Sequence, residues 1–139
     1  MLSLLRATSA GEDPGIRLLR YTLAVLMIIH GFTRIALGGV TPFGGYLSSV
    51  GFPLGLALAW SITLFEIVGT VTLTAGYFLI PISIVFCFQL LMGIILVHGR
   101  EGWFVVGAGR NGMEYSVLLI FGFLAVICST WVREKKRET

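Results

Sequence analysis

Residues 105–132 read VVGAGRNGMEYSVLLIFGFLAVICSTWV, and two folds compete for this stretch. Gly107, Gly109 and Gly112 are spaced G-x-G-x-x-G, the pattern of a phosphate cradle between a strand and a helix. Met113 to Val132, in contrast, has the length and polarity of a helix that crosses a membrane. A dinucleotide-binding unit needs a strand before the glycines and an acidic residue about 20 positions after them, in a largely soluble domain. The whole chain argues against that setting. It has 139 residues, is 56% hydrophobic with a mean hydropathy of +0.93, and is only 12% charged. Globular domains carry about 25% charged residues. Such a chain cannot cover itself with polar surface, so its solvent is lipid and the glycines belong to a loop at the membrane surface. There Trp103 and Phe104 can anchor and Tyr115 can sit at headgroup depth, while Asn111 or Gly112 caps a helix whose first turn carries Glu114.

Working outward, a helix crossing ~30 Å of hydrocarbon needs about 20 apolar residues. Four stretches qualify, at about 18–37, 54–78, 80–97 and 113–132. The sequence therefore predicts an all-α, polytopic membrane protein, a four-transmembrane-helix bundle over residues 17–132. A short tail, 1–16, precedes it and a basic tail, 133–139, follows. Tyr77 to Pro81 reads as a tight hairpin between the second and third spans, with Gly76 as the C-cap and Pro81 as a first-turn residue. The connection at 38–53 carries no charge, and in it Thr41 reads as an N-cap with Pro42 as the first helical residue. This predicts a short interfacial helix with Phe43, Leu47 and Val50 on one side, a lid or plug over the polar cluster, with an ordinary interfacial turn as the alternative.

With four spans both termini share one side. That side holds Arg6, Arg17, Arg20, Arg133, Lys135, Lys136 and Arg137, against Arg34, Arg100 and Arg110 opposite. The excess predicts cytoplasmic N- and C-termini in an inner (plasma) membrane, and it accounts for the basic tail without nucleic acid. Met1 to Gly15 has no apolar core of a signal peptide, so the first span is expected to act as the insertion signal. Cys87 and Cys128 form no C-x-x-C pair and read as buried, inert thiols, with a redox pair as the lesser alternative.

The informative residues are polar ones at membrane depth, because an ionisable group at a helix centre costs about 2.5–3.5 kcal/mol to insert. Glu66 lies near the middle of the second span, on a face with Gly55, Ala59, Thr63, Thr70 and Thr74. This stripe of small and hydroxyl residues turns Glu66 toward the protein interior. His30 and Arg34, four apart, share a face of the first span, and His30 is expected to be buried above Glu66. His98 closes the third span, Glu114 opens the fourth, and Arg110 lies in the loop before it; an Arg110–Glu114 interfacial ion pair is one reading of these boundary groups. Gln89, mid-way along the third span, suits a side-chain amide hydrogen bond between helices. Glu66 and His30 are thus the candidate catalytic pair, with Arg34, His98, Glu114, Gln89 and Arg110 as candidate ligand-binding residues. The sequence offers no metal set, no haem motif and no iron–sulfur spacing.

Together these residues resemble the DoxX family. HGFTR at His30–Arg34 resembles its H-G-x-x-K/R, Glu66 sits inside ITLFEIVG, His98 closes the third helix, and EGWFVVGAGRNGMEYSVLLI resembles a G-x-G-N-x-E-Y run into the fourth. Arg34 stands where lysine is usual, and CSTWVREKKRET replaces a GPG-like ending. The resemblance implies membrane redox metabolism, since similar proteins are implicated in sulfur-compound and thiol oxidation, including a small subunit of thiosulfate:quinone oxidoreductase. It implies a quinone or a redox partner subunit, since the chain shows no redox centre of its own. Membrane lipids and a homo-oligomer are further expected partners. A non-enzymatic carrier or assembly protein for a small or lipidic ligand uses the same polar residues and is the alternative.

Overall fold

The structure, a computed structural model, describes residues 9–138. Arg6, one of the basic residues used for orientation, lies outside the described residues. Among the described residues the chain is all-helical: α1 (Pro14–Ala36), α2 (Val40–Ser49), α3 (Gly55–Ala75), α4 (Leu79–Leu96), a 3-10 turn (His98–Glu101) and α5 (Glu114–Glu138), with no strand. Four of these, α1, α3, α4 and α5, are long and apolar enough to cross a membrane. The G-x-G-x-x-G run therefore has no strand before it and a membrane-length helix after it.

Helix α1 begins earlier than the apolar count predicts because its start is a polar signal. Asp13 is the N-cap, its Oδ1 accepting from the Gly15 and Ile16 N–H groups at 2.8 and 3.3 Å, and Pro14 is the first helical residue. Proline suits that position because its missing N–H would have had no partner there. Between α3 and α4 the chain turns through Gly76 (φ +82°) and Phe78 (φ +52°). Both are left-handed, so the chain does not continue as one helix through residues 76–78.

The described chain divides into two compact units: the chain up to Leu23 together with Gly76 onward, and Ala24–Ala75. In lipid, helices gain little from apolar burial and associate through close packing and polar contacts. The Ala24–Ala75 unit illustrates this. The short helix α2 packs on α3 around Val40, Leu47 and Ala59, with Phe43, Phe52, Leu58 and Ile62 around them. A Cβ on Gly44 would lie 2.7 Å from the Leu56 Cα, so the two backbones meet where side chains are absent. The expected helix at 38–53 is present but starts at Val40, after Gly39, so Thr41 is its second residue rather than its cap. Val50 follows the helix and is exposed. In the other unit α4 and α5 pack with Phe86 stacked on Phe123, their centroids 5.0 Å apart.

Candidate functional site

Glu66 is 1% exposed, and Arg34 is its partner. Both guanidinium nitrogens reach the carboxylate: Nη1 donates to Oε2 at 2.5 Å and Nη2 to Oε1 at 3.2 Å. Nη1 also donates to the Thr63 hydroxyl at 3.0 Å, and that hydroxyl donates back to the Ala59 carbonyl at 2.7 Å. Two-point pairing of this kind fixes orientation as well as charge. The Phe43 ring of α2 lies 4.8 Å from the Arg34 Cζ and covers its face, a cation–π contact. The lid expected from the 38–53 connection thus has a definite object, the guanidinium.

Gly31 explains how α1 comes so near α3. A Cβ at that position would lie 3.0 Å from the Ile67 Cγ1, 3.1 Å from the Glu66 Cβ and 3.2 Å from the Thr63 carbonyl oxygen. Gly31 is buried and one turn from Arg34, so it marks the face of α1 that meets Glu66. His30, its neighbour, is exposed and forms no hydrogen bond or ion pair among the described residues. The expectation that His30 is buried above Glu66 is therefore corrected. Rotation about the helix gives Gly31 and Arg34 the α3-facing side, and His30 falls at its edge.

The stripe beside Glu66 is buried at Gly55, Ala59, Thr63 and Thr70 but exposed at Thr74. The Thr70 hydroxyl is buried and has no hydrogen-bond partner among the described residues. Thr63 supports the carboxylate through Arg34, whose Nη1 it accepts from. An open, apolar depression on the same unit, lined by Ser48, Leu54, Gly55, Leu56, Ala57 and Trp60, does not include the pair.

The remaining candidates belong to the other unit. His98, half-buried, donates from Nδ1 to the Asn111 carbonyl at 2.9 Å and ties the 3-10 turn to the glycine loop. The Glu114 carboxylate accepts from the Val105 N–H at 2.8 Å, so its partner is the loop backbone and it forms no ion pair with Arg110, which is exposed. The loop folds back on itself: the N–H groups of Gly112, Met113 and Glu114 donate to the carbonyls of Phe104, Gly102 and Trp103. Asn111 is left-handed (φ +57°) and lies within this return rather than capping α5. Gly112 sits against backbone, where a Cβ would approach the Trp103 carbonyl carbon and oxygen to 2.5 Å. Gln89 is half-buried mid-way along α4. Cys87 and Cys128 are free thiols; Cys87 lies 3.8 Å from the Ile120 carbonyl, and Cys128 is exposed, against the expectation of burial. Among the described residues no group of His, Cys, Asp and Glu is arranged to hold a metal ion.

Sequence reading missed a second buried ion pair. Glu12 and Arg20, 4% and 1% exposed, are joined by contacts of 2.8, 3.0 and 3.2 Å. In the sequence alone, Arg20 marks a membrane side and nothing more. The available signal was an acidic residue just before a capped helix whose second turn carries an arginine.

These features define a class, the multi-pass α-helical membrane protein with charge pairs buried between its segments. The DoxX family model matches residues 15–99, well over half of the chain, and the chain belongs to the DoxX family. The match holds α1 to α4 with Arg34, Glu66 and His98, and ends before the glycine loop. No curated protein and no solved structure matches.

Proposed function

We propose that this chain is the membrane subunit of a redox system and that Arg34, held by Glu66, binds the oxygen-bearing head of its substrate, a quinone carbonyl or a sulfur oxyanion. One observation carries the reading. Arg34 spends three of its five N–H donors on Glu66 and Thr63, while its side chain stays 20% exposed. An oxygen acceptor suits the remaining donors, Nε–H and one on Nη2. Reduction of a quinone places negative charge on its oxygens, and a guanidinium already fixed by Glu66 and Phe43 stabilises that charge without reorganising. Glu66 then acts through Arg34 as a positioning group. A proton relay from Glu66 to His30 would need a hydrogen-bonded path, and none joins them among the described residues. His30, exposed one turn from Arg34, suits exchange of protons with the surroundings.

The same reading gives the chain a redox partner subunit, which supplies the electrons, and cytoplasmic termini in the plasma membrane. His98, Glu114, Gln89 and Arg110, which belong to the other unit, are proposed as ligand-binding residues in their own right. The test is quinone binding and quinone reduction by the purified protein in nanodiscs, alone and with its co-purifying partner, for the wild type and Arg34→Gln. Binding lost in Arg34→Gln supports the site, and turnover lost with it supports the redox role. Binding without turnover, with partner present, leaves the carrier reading as the better one. Undiminished binding by Arg34→Gln overturns the site. A reporter fused after Thr139 should read cytoplasmic, and a signal from the opposite side would reverse the orientation.

A further inference from the structure

Arg20, Glu12 and the end of α5 form a second polar assembly, within the unit that joins the chain up to Leu23 to Gly76 onward. Its centre is neutral. Glu12 and Arg20 are buried and joined at three contacts. Its rim is basic and fixed in place. Arg17 lies 3.8 Å from the Glu12 carboxylate and donates from Nη2 to the Glu12 carbonyl at 3.4 Å. Arg137 donates from Nη1 to Glu134 at 3.0 Å and from Nη2 to the Ala10 carbonyl at 2.7 Å. Gly11 sits against Arg137 and Arg133, within 3.8 Å of each for a Cβ built on it, so residues 10–12 lie along the end of α5.

The charges do not balance. In sequence, six basic residues, Arg17, Arg20, Arg133, Lys135, Lys136 and Arg137, stand against four acids, Glu12, Asp13, Glu134 and Glu138. Asp13 is already spent as the cap of α1. The surplus faces outward, since the side chains of Arg17 and Arg137 are 50% and 44% exposed. Depth follows from the sequence: the apolar run of α1 begins at Leu18 and that of α5 ends at Val132. Arg17 and Arg137 therefore flank hydrocarbon-length segments and lie at the level of lipid phosphates, whichever way the protein faces.

We propose that this rim is a binding site for the phosphate headgroup of an anionic phospholipid of the surrounding bilayer. A phosphate takes two-point bonds from guanidinium groups, and arginines held by protein acceptors lose less freedom on binding it. The headgroup supplies the negative charge that the rim lacks, and its acyl chains run beside the apolar faces of α1 and α5. The site is independent of Arg34 and Glu66, which lie in the other unit.

The full chain is purified in mild detergent, and its bound lipids are measured by native mass spectrometry after exposure to an equal mixture of phosphatidylglycerol and phosphatidylcholine. The wild type is expected to retain phosphatidylglycerol preferentially. Arg17→Gln/Arg137→Gln keeps the buried Glu12–Arg20 pair and should lower that preference by about 30-fold, the effect of two basic groups lost near an anionic surface. Unchanged thermal stability in phosphatidylcholine nanodiscs checks that the variant is folded, and Lys135→Gln/Lys136→Gln, which removes two charges from the same basic tail, should cost less. Equal retention of both lipids by the wild type, an undiminished preference in Arg17→Gln/Arg137→Gln, or an equal loss in the lysine variant would each overturn the site. Displacement of phosphatidylglycerol by millimolar inorganic phosphate would show a free-anion site and overturn the lipid as its occupant.

Discussion

Arg34 grips Glu66 with both terminal nitrogens across 32 residues of sequence, and Phe43, from the helix between them, closes over the guanidinium. A carboxylate in a membrane span is thereby neutralised within the fold. The pair is the pin between α1 and α3, and changes to either residue act on both helices.

A mid-span glutamate without a charged partner would tolerate glutamine, which keeps its size and removes a costly charge. Glu66 has a charged partner, so Glu66→Gln strands the guanidinium beneath Phe43. The expected loss is about 2–4 kcal/mol of stability, somewhat below that of a fully buried pair because Arg34 is partly exposed. Arg34→Leu/Glu66→Leu should recover most of it, since apolar replacement of both partners is often neutral. Urea or thermal unfolding in detergent measures both. If the pair is the functional centre, the double variant folds and fails to complement a deletion strain; complementation would make the pair structural alone.

Gly31→Val tests the close approach of α1 and α3 without touching a charge. Its side chain would press on Ile67, Glu66 and the Thr63 carbonyl, at a cost of about 1–3 kcal/mol from overpacking. Separation of the helices also lengthens the Arg34–Glu66 contact. Loss of ligand binding together with stability is the expected result, and a variant with wild-type unfolding would mean that the helices have room to spare.

In the glycine loop the order of sensitivity is set by what surrounds each residue. Gly112→Ala drives a methyl group into the Trp103 carbonyl and should cost about 2–3 kcal/mol, by analogy with overpacked cores. Gly107 has φ +80° but open space around it, so Gly107→Ala should cost only about 1 kcal/mol. Amide hydrogen exchange over residues 102–113 reports the difference. Neither variant should alter binding of NAD, which the wild type is expected not to bind.

Phe43→Leu removes the ring over Arg34 but keeps an apolar side chain on α2. Stability should fall by about 1 kcal/mol, the scale of a partly desolvated cation–π contact. Reaction of Arg34 with phenylglyoxal should quicken markedly. An unchanged labelling rate would show that α2 is no cover for the guanidinium.

The spans were legible because length and hydropathy suffice to find a helix that must satisfy its own backbone in lipid. The burial of Glu66 was legible too, from a carboxylate on a stripe of small residues. Its partner was harder to read. His30 and Arg34 both lie near the relevant face of α1, and their spacing alone does not say which points at α3. Gly31 does, because only a residue without a side chain permits that approach, but a single glycine in a span has several uses. The Glu12–Arg20 pair was hidden for a different reason. Basic residues at span ends are common for topological causes, so nothing in composition separates one that faces water from one buried against the preceding tail.

The 32-residue separation of Arg34 and Glu66 has a consequence for how the protein is made. Ribosomes work from the N-terminus at roughly 5–20 residues per second, so Arg34 emerges about 2–6 seconds before its counter-charge. During that interval α1, the least apolar of the four membrane-length helices, carries a guanidinium in its last turn with no carboxylate to meet it. It can wait only by reaching toward the headgroups or by staying beside the insertion machinery. Stable residence of α1 in the bilayer is therefore completed by the arrival of α3, and a nascent chain cut before Glu66 will hold its first helix less firmly than one cut after it.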